Sequence, residues 1–409
     1  MRVNYGQTVH GEPEIEAVVA VLRGSTQLGA NVHEMERRVA RLFDKRHGIM
    51  VNSGSSANFL AIKLLDLPAG AEVVTPVLTF ATTVAPLVQN GLVPAFVDVK
   101  PGTYNIDVDA IEAMIGPATR AMMIPSLIGN LPDWDRIRAI ADAHGLIVVE
   151  DSADTLGATL HGRSTGSRAH ISTTSFYGSH VINAGGTGGM LCVDNPEHLR
   201  RALLLRSWGR SSSLFSQSES IENRFNVELD GIAYDAKFVF EELGYNLEPT
   251  EMGAAFGVVQ LDKLVANIEA REANFARHRD FFSAYADWFI LPEQLPAART
   301  GWLAFALTLR PDAPFTRRDL QVFLEQQDIQ TRPVFTGNIL RQPAMKNIEV
   351  RTAPGGYPVA DEVMRGGILL ACHHGLTPDH IDFMHERFAH FAATWASARQ
   401  SARHLHAAE

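Results

Sequence analysis

AMMIPSLIGNLPDWDRIRAIADAHGLIVVED, residues 121–151, reads as an apolar run, a helical segment and a second apolar run. Neither Ala121–Pro125 nor Leu146–Glu150 alternates polar with apolar residues, so both faces of each strand are covered. Between them, Pro132–His144 has the length and spacing of an amphipathic helix. A strand, a crossover helix and a second strand make a parallel pair. The same rhythm precedes this stretch, with apolar runs at Gly48–Val51, Glu72–Thr75 and Val93–Val97. The reading is an α/β protein with a mainly parallel sheet covered on both faces. Ligands of such sheets bind at the carboxyl ends of the strands.

Ahead of the sheet, the chain reads as an arm and two helices. Pro13 marks the first helix, with Ile15, Val18, Val19 and Leu22 as its apolar stripe. Asn31 is expected to cap the second, which buries Val32, Met35, Val39 and Leu42. After residue 170, ISTTSFY (171–177) and GMLCVD (189–194) read as strands and 195–208 as a helix. Ser211 to about Lys237 shows no pattern, and 249–290 is one long helix or two abutting ones. GWLAFALTLR (301–310) and Ile368–Ala371 read as strands, and Phe315–Gln327 and Pro378–Arg399 as helices. A chain of 409 residues exceeds one core of ~250–300 residues. Two domains are expected: 1–285, the arm and large domain, and 286–409, a smaller α+β domain.

Composition excludes several classes. A hydrophobic fraction of 46% excludes disorder. A net charge of -10 argues against nucleic acid as a partner. No uncharged apolar run approaches the ~18 residues of a membrane span, and the first residues hold no apolar signal core. A cytoplasmic location is the expectation. Cys192 and Cys372 are too few for a disulfide framework, a four-thiolate zinc site or an all-cysteine iron–sulfur cluster.

Four stretches can carry chemistry. NSGSSANFLAI (52–62) runs from a strand through Gly54, Ser55 and Ser56 into a helix, an arrangement that suits a phosphate or is an ordinary serine cap. In VVEDSADTLGA (148–158), Asp151 ends a strand, where it can hold a protonated ring nitrogen, bind a metal or cap a turn. SFYGSHVINAGGTGG (175–189) leads a strand into His180 and a glycine-rich turn that permits close backbone approach to a ligand, or is a flexible loop. GYNLEPTEMGAAFG (244–257) fits a helix start with small packing residues. His373 and His374 are adjacent, so on a strand end they face opposite ways and chelate poorly; no metal is expected. His404 and His406 read as a solvated tail.

Taken in order, GEPEIEAV (11–18), LGANVHEME (28–36), NSGSSAN (52–58), TPVLTFATT (75–83), EDSAD (150–154), SFYGSH (175–180), GYNLEP (244–249) and GNILRQP (337–343) resemble the DegT/StrS family of sugar aminotransferases and dehydratases. The resemblance implies the aspartate-aminotransferase fold, PLP-dependent fold type I, with a seven-stranded, mainly parallel sheet. It implies pyridoxal 5'-phosphate or pyridoxamine 5'-phosphate as cofactor. Ser55, Ser56 and Ser175 match the family's phosphate-holding groups, Phe80 the aromatic on the pyridine ring, and Asp151 the acid that keeps the ring nitrogen protonated. Asp154 stands where other members carry Gln or His. Asn246 matches an asparagine that reaches the neighbouring subunit's phosphate, which implies a homodimer with shared active sites. Tyr5, His10, Arg332, Asn338 and Arg341 are placed by position alone as substrate contacts.

Residue 180 departs from the aminotransferases, which carry there the lysine that binds the cofactor covalently. The lysines here are 45, 63, 100, 237, 263 and 346, with none between 100 and 237. Imidazole cannot form the lasting bond that a primary amine forms. The change resembles the 4-keto-6-deoxy-sugar 3-dehydratase branch, where the histidine is the base. One subgroup of that branch holds a [2Fe–2S] cluster on cysteines. The loop WGRSSSLFSQSESIENRF (208–225) holds none, so no iron–sulfur cluster is expected, although RFNVELDGIAYDAKFVFEELGYNLEP (224–249) resembles that subgroup in its surroundings. The implied activity is removal of the 3-hydroxyl of a 4-keto-6-deoxy sugar, nucleotide-linked, with glutamate as amino donor. The alternatives are an enzyme acting on another keto-glycoside in natural-product biosynthesis and a non-catalytic, lysine-less relative that binds ligand.

Overall fold

The computed structural model describes residues 1–215 and 219–406, with side chains as far as Trp395. In chain order the first half holds α1 (Glu12–Arg23), α2 (Ala30–Leu42), β1 (His47–Val51), α3 (Gly54–Leu64), β2 (Glu72–Pro76), α4 (Ala81–Gln89), β3 (Val93–Val97), β4 (Thr119–Pro125), α5 (Trp134–His144) and β5 (Ile147–Asp151). Then come β6 (Ile171–Ser175), β7 (Gly189–Val193), α6 (Pro196–Arg206) and α7 (Glu251–Ser283). The remainder holds β8 (Phe289–Ile290), β9 (Ala304–Leu309), α8 (Arg317–Gln326), α9 (Pro358–Gly366), β10 (Gly367–Ala371) and α10 (Pro378–His406).

The main sheet has seven strands in the order β1-β7-β6-β5-β4-β2-β3. Only β7 runs antiparallel to its neighbours. The unbroken apolar runs are the cause: Val73, Met123, Val149, Ile171 and Leu191 pack under α3 and α6, and Val74, Met122, Ile124 and Val148 pack on the opposite side with Trp134 and Ile137 of α5. The carboxyl ends of β5 and β6 deliver Asp151 and Ser175 to one edge. A three-stranded antiparallel sheet, β8-β9-β10, carries its own aromatic core of Phe282, Phe289, Phe305 and Phe388. Val3 of the arm pairs with Ile329 and is buried in that second core.

Several expectations change. In α1, Ile15 and Leu22 are exposed, while Glu14 and Val21 are buried. The helix turns a polar face inward because Glu14 accepts from Gln260 (2.6 Å) and pairs with Lys263 of α7. Gly29, not Asn31, caps α2, and Asn31 lies inside the helix. The donors at that end are taken by Glu251 of α7, which accepts from the backbone of Gly29 (2.9 Å), Asn31 (2.8 Å) and Val32 (3.3 Å). The segment 249–290 is one helix that stops at Ser283. Its small residues permit contact: a Cβ on Gly257 would lie 2.7 Å from Met35. The patternless region contains a hairpin, Val227–Leu229 with Ile232–Tyr234, too short for periodicity to reveal. Residues 216–218 of that region, and the side chains of His404 and His406, lie outside the described residues.

Candidate active site

A cavity of about 960 Å³ opens at the carboxyl edge of the sheet. Ser55, Phe80, Asp151, Asp154, Ser175 and His180 all line it, as do Tyr5 and Arg332. The sequence therefore places eight of its candidates at one point. No lysine lines this cavity among the described residues.

Asp151 ends β5 and is buried. Asn58 of α3 and Thr83 of α4 both donate to its Oδ2, each at 2.8 Å, and the Ala153 N–H donates to Oδ1 at 3.2 Å. Burial raises its carboxyl above the usual range, and these donors only partly offset that. No lysine, arginine or histidine among the described residues forms an ion pair with it. A buried carboxylate held by neutral donors is incomplete without a cation, and a protonated pyridine nitrogen is one. Phe80 caps α4 with its ring 53% exposed, set edge-on to Phe335 at 5.8 Å. An exposed aromatic ring on a cavity wall is available for stacking. Ser55 lies in the first turn of α3, whose N-terminus meets the cavity beside Ser175. Here Gly54 is required, because a Cβ would lie 2.6 Å from that of Ser175. The site thus fits a phosphorylated pyridine: an anion at α3, a ring on Phe80 and a ring nitrogen at Asp151.

His180 stands on the turn after β6. Its Nδ1 lies 3.3 Å from the Ser175 carbonyl, which can only accept, so Nδ1 carries the hydrogen and Nε2 is left with a lone pair. Nε2 lies 3.8 Å from Asp154 Oδ1. Burial, with the Arg271 guanidinium behind it, lowers His180 to about 4. Burial and the neighbouring Asp151 charge raise Asp154 to about 7, against the Ile128 N–H that donates to its Oδ2 at 2.9 Å. Ile128 adopts φ 62 to present that N–H, a strained conformation for a β-branched residue. The pair is a neutral imidazole facing a carboxyl poised near neutrality.

Other candidates are placed elsewhere. Ser56 is off the cavity wall, and its hydroxyl donates to Asn52 Oδ1 at 2.6 Å. Asn338 donates to Asp361 (2.8 Å), and Arg341 forms an ion pair with the same carboxylate (2.5 Å). Both therefore brace α9. His10 packs against Phe256 outside the cavity. Asn246 is exposed beside Ser207 and does not line this chain's own cavity. His373 contacts the Asn4 carbonyl (3.0 Å) and His374 accepts from Arg271 (3.1 Å), so the two diverge. Sequence reasoning missed Asn58, Thr83 and Arg271. The first two sit inside quoted motifs, where their spacing from Gly54 and Phe80 offered a signal; Arg271 offered none.

Fold and site together define a fold type I, PLP-dependent class of enzyme. The sequence profile of the DegT/DnrJ/EryC1/StrS aminotransferase family matches residues 9–388, and this chain belongs to that family. The dTDP-4-dehydro-2,6-dideoxy-D-glucose 3-dehydratase of Saccharopolyspora spinosa is 37% identical over 95% of this chain and 86% of its own. Among solved structures, the E. coli GDP-4-keto-6-deoxy-D-mannose-3-dehydratase with bound hydrated PLP superposes with a TM-score of 0.84 at 27% identity, covering 95% of this chain and 100% of its own. A GDP-4-keto-6-deoxymannose-3-dehydratase with a trapped PLP-glutamate geminal diamine gives 0.85 at 27% identity, covering 94% and 99%.

Proposed function

We propose that this protein is a dehydratase dependent on pyridoxamine 5'-phosphate that removes the 3-hydroxyl of a nucleotide-linked 4-keto-6-deoxy sugar. The observation that carries the reading is His180: a neutral imidazole lines the cavity where the family's aminotransferases bind their cofactor through lysine. The bound cofactor supplies an amine for the sugar ketone and a ring that draws electrons as the hydroxyl leaves. Ser55 and Ser175 hold its phosphate, Phe80 its ring face and Asp151 its ring nitrogen. His180 accepts a proton at Nε2 and returns it to the departing hydroxyl, which leaves as water. Asp154, raised to about 7 and so partly protonated at neutral pH, can resupply a proton. Arg332 and Tyr5 orient the sugar nucleotide.

Glutamate as amino donor closes the balance without an external reductant. Glutamate is oxidised to 2-oxoglutarate, ammonia is released, and the sugar loses one oxygen atom. No iron–sulfur cluster takes part, since Cys192 and Cys372 are both buried apart from the cavity. A homodimer completes the site. Phe238, Phe240 and Leu243 are exposed on the segment that leads to Asn246, and Leu243 is 93% exposed. Such a surface is expected to be covered by a second copy.

The test is incubation with a panel of 4-keto-6-deoxy nucleotide sugars and glutamate, followed by mass spectrometry. The expected product is one oxygen lighter than its substrate and appears with equimolar 2-oxoglutarate. An amino sugar as product would show transamination and end the dehydratase reading.

A further inference from the structure

Helix α7 lays a polar row along the turn that carries His180. Gln260, Asn267 and Arg271 fall on one helical face. Gln260 accepts from Asn183 (3.4 Å), and Asn267 donates to the Val181 carbonyl (2.9 Å). Arg271 donates through Nη2 to the carbonyls of Ser179 (2.9 Å) and His180 (2.8 Å). Its Nη1 reaches the Trp302 carbonyl (2.9 Å) and its Nε reaches His374 Nδ1 (3.1 Å).

Arg271 is fully buried, at 0% exposure, and no carboxylate among the described residues forms an ion pair with it. A buried cation among carbonyls is a costly way to fasten a loop. Its fixed fork does what shorter amides cannot: it holds two successive carbonyls of the turn and ties them to Trp302 and His374. The groups next to the imidazole are Asp154, just past β5, Tyr177 on its own turn, and the carbonyls of Ser175 and Ala153, which favour the protonated ring; Asp151 and Tyr5 line the same cavity. Arg332 also lines the cavity, and His374 accepts from the guanidinium. Arg271 is the one fully buried cation in this set, and its repulsion joins burial in disfavouring the protonated ring.

We infer that Arg271 is the positioning residue of the His180 turn: it fixes the imidazole against Asp154 and keeps a positive charge behind it, so that the ring faces the cavity as a proton acceptor. The activity arm of the test rests on the dehydratase reading; the chemical arm does not.

Diethyl pyrocarbonate modifies uncharged imidazole, and peptide mass spectrometry reads its reaction at His180 against pH in the purified enzyme. In R271M the midpoint is expected to rise by about one pH unit or more. Its kcat should fall about a hundredfold, with KM little changed. R271K keeps the charge and loses the fork, so its midpoint should stay while kcat falls about tenfold or more. A folded R271M with the wild-type midpoint overturns the inference, as does R271K with the wild-type kcat. If R271M does not fold, R271Q replaces it under the same criteria. A merely structural arginine would lower Tm in every variant and leave the midpoint unmoved. If no sugar turns over at all, the proposed reaction fails while the midpoints still decide the role of Arg271.

Discussion

In the proposed reaction His180 stands where the family's aminotransferases carry lysine, and the two side chains differ in what each can hold. A primary amine binds the cofactor covalently; an imidazole with Nδ1–H on the Ser175 carbonyl can only pass protons at Nε2. The two functions are separable by substitution. His180→Asn is expected to retain the cofactor, because Asp151, Phe80, Ser55 and Ser175 are untouched, and to lose about a hundredfold to ten-thousandfold in sugar dehydration. His180→Lys is expected to bind the cofactor covalently, since the side chain lines the same cavity. Borohydride treatment and peptide mass spectrometry should find the adduct on the residue 180 peptide. Normal turnover by the asparagine variant would place the base elsewhere. The residues that hold Asp151 matter at this scale too. Asn58 is itself fixed by Thr173, whose hydroxyl donates to Asn58 Oδ1 at 2.5 Å, so three elements set one carboxylate.

Among the elements, α7 organises the site without lining it. Its first residue, Glu251, supplies the acceptors that α2 lacks at its own N-terminus, and Asn31 adds a side-chain donor at 2.9 Å. Such a cap obeys the same physics as a local one, because orphan helix N–H groups must find oxygen. Glu251→Ala is expected to cost about 1–3 kcal/mol, seen as a lower urea midpoint with an unchanged slope. An unchanged midpoint would mean that water replaces the carboxylate. This element also marks where the sequence was legible. The strands were readable because fully buried strands leave continuous apolar runs. Asp151 was readable because it ends such a run and His180 because it follows a strand, whereas Ser175 entered only through the family resemblance. The capping of α2 was not, since Asn31 is a good local candidate and its competitor lies far along the chain. The inward face of α1 was not, because Glu14 is buried by partners on α7 that periodicity cannot see. Asn338 and Arg341 were placed by position alone, and Asp361 engages both.

Across the whole molecule, burial of uncharged histidines sets an acid limit. His278 of α7 bridges to α10 through His385 (3.0 Å) and contacts the Ala371 carbonyl of β10 (3.0 Å). Burial, with His385 and Arg277 adding to it, lowers His278 from 6.5 to about 3, and burial lowers His385 to about 4. The folded state refuses a proton that the unfolded chain accepts. This contribution is therefore complete above about pH 6.5 and is lost as pH falls toward about 3. Asp154 acts with the opposite sign, since its folded value is raised to about 7, so absolute stability mixes the two. The difference between two proteins separates them. Relative to His278→Gln, the wild type should lose about 1.4 kcal/mol per pH unit as pH falls below about 6.5. Urea unfolding of both at several pH values reads that slope, and parallel curves would show that His278 takes up its proton in the folded state. The same contacts join the long helix to the second sheet. Acidification should therefore loosen first the region that carries His374, which Arg271 links to the His180 turn, and activity should fall before the main sheet unfolds.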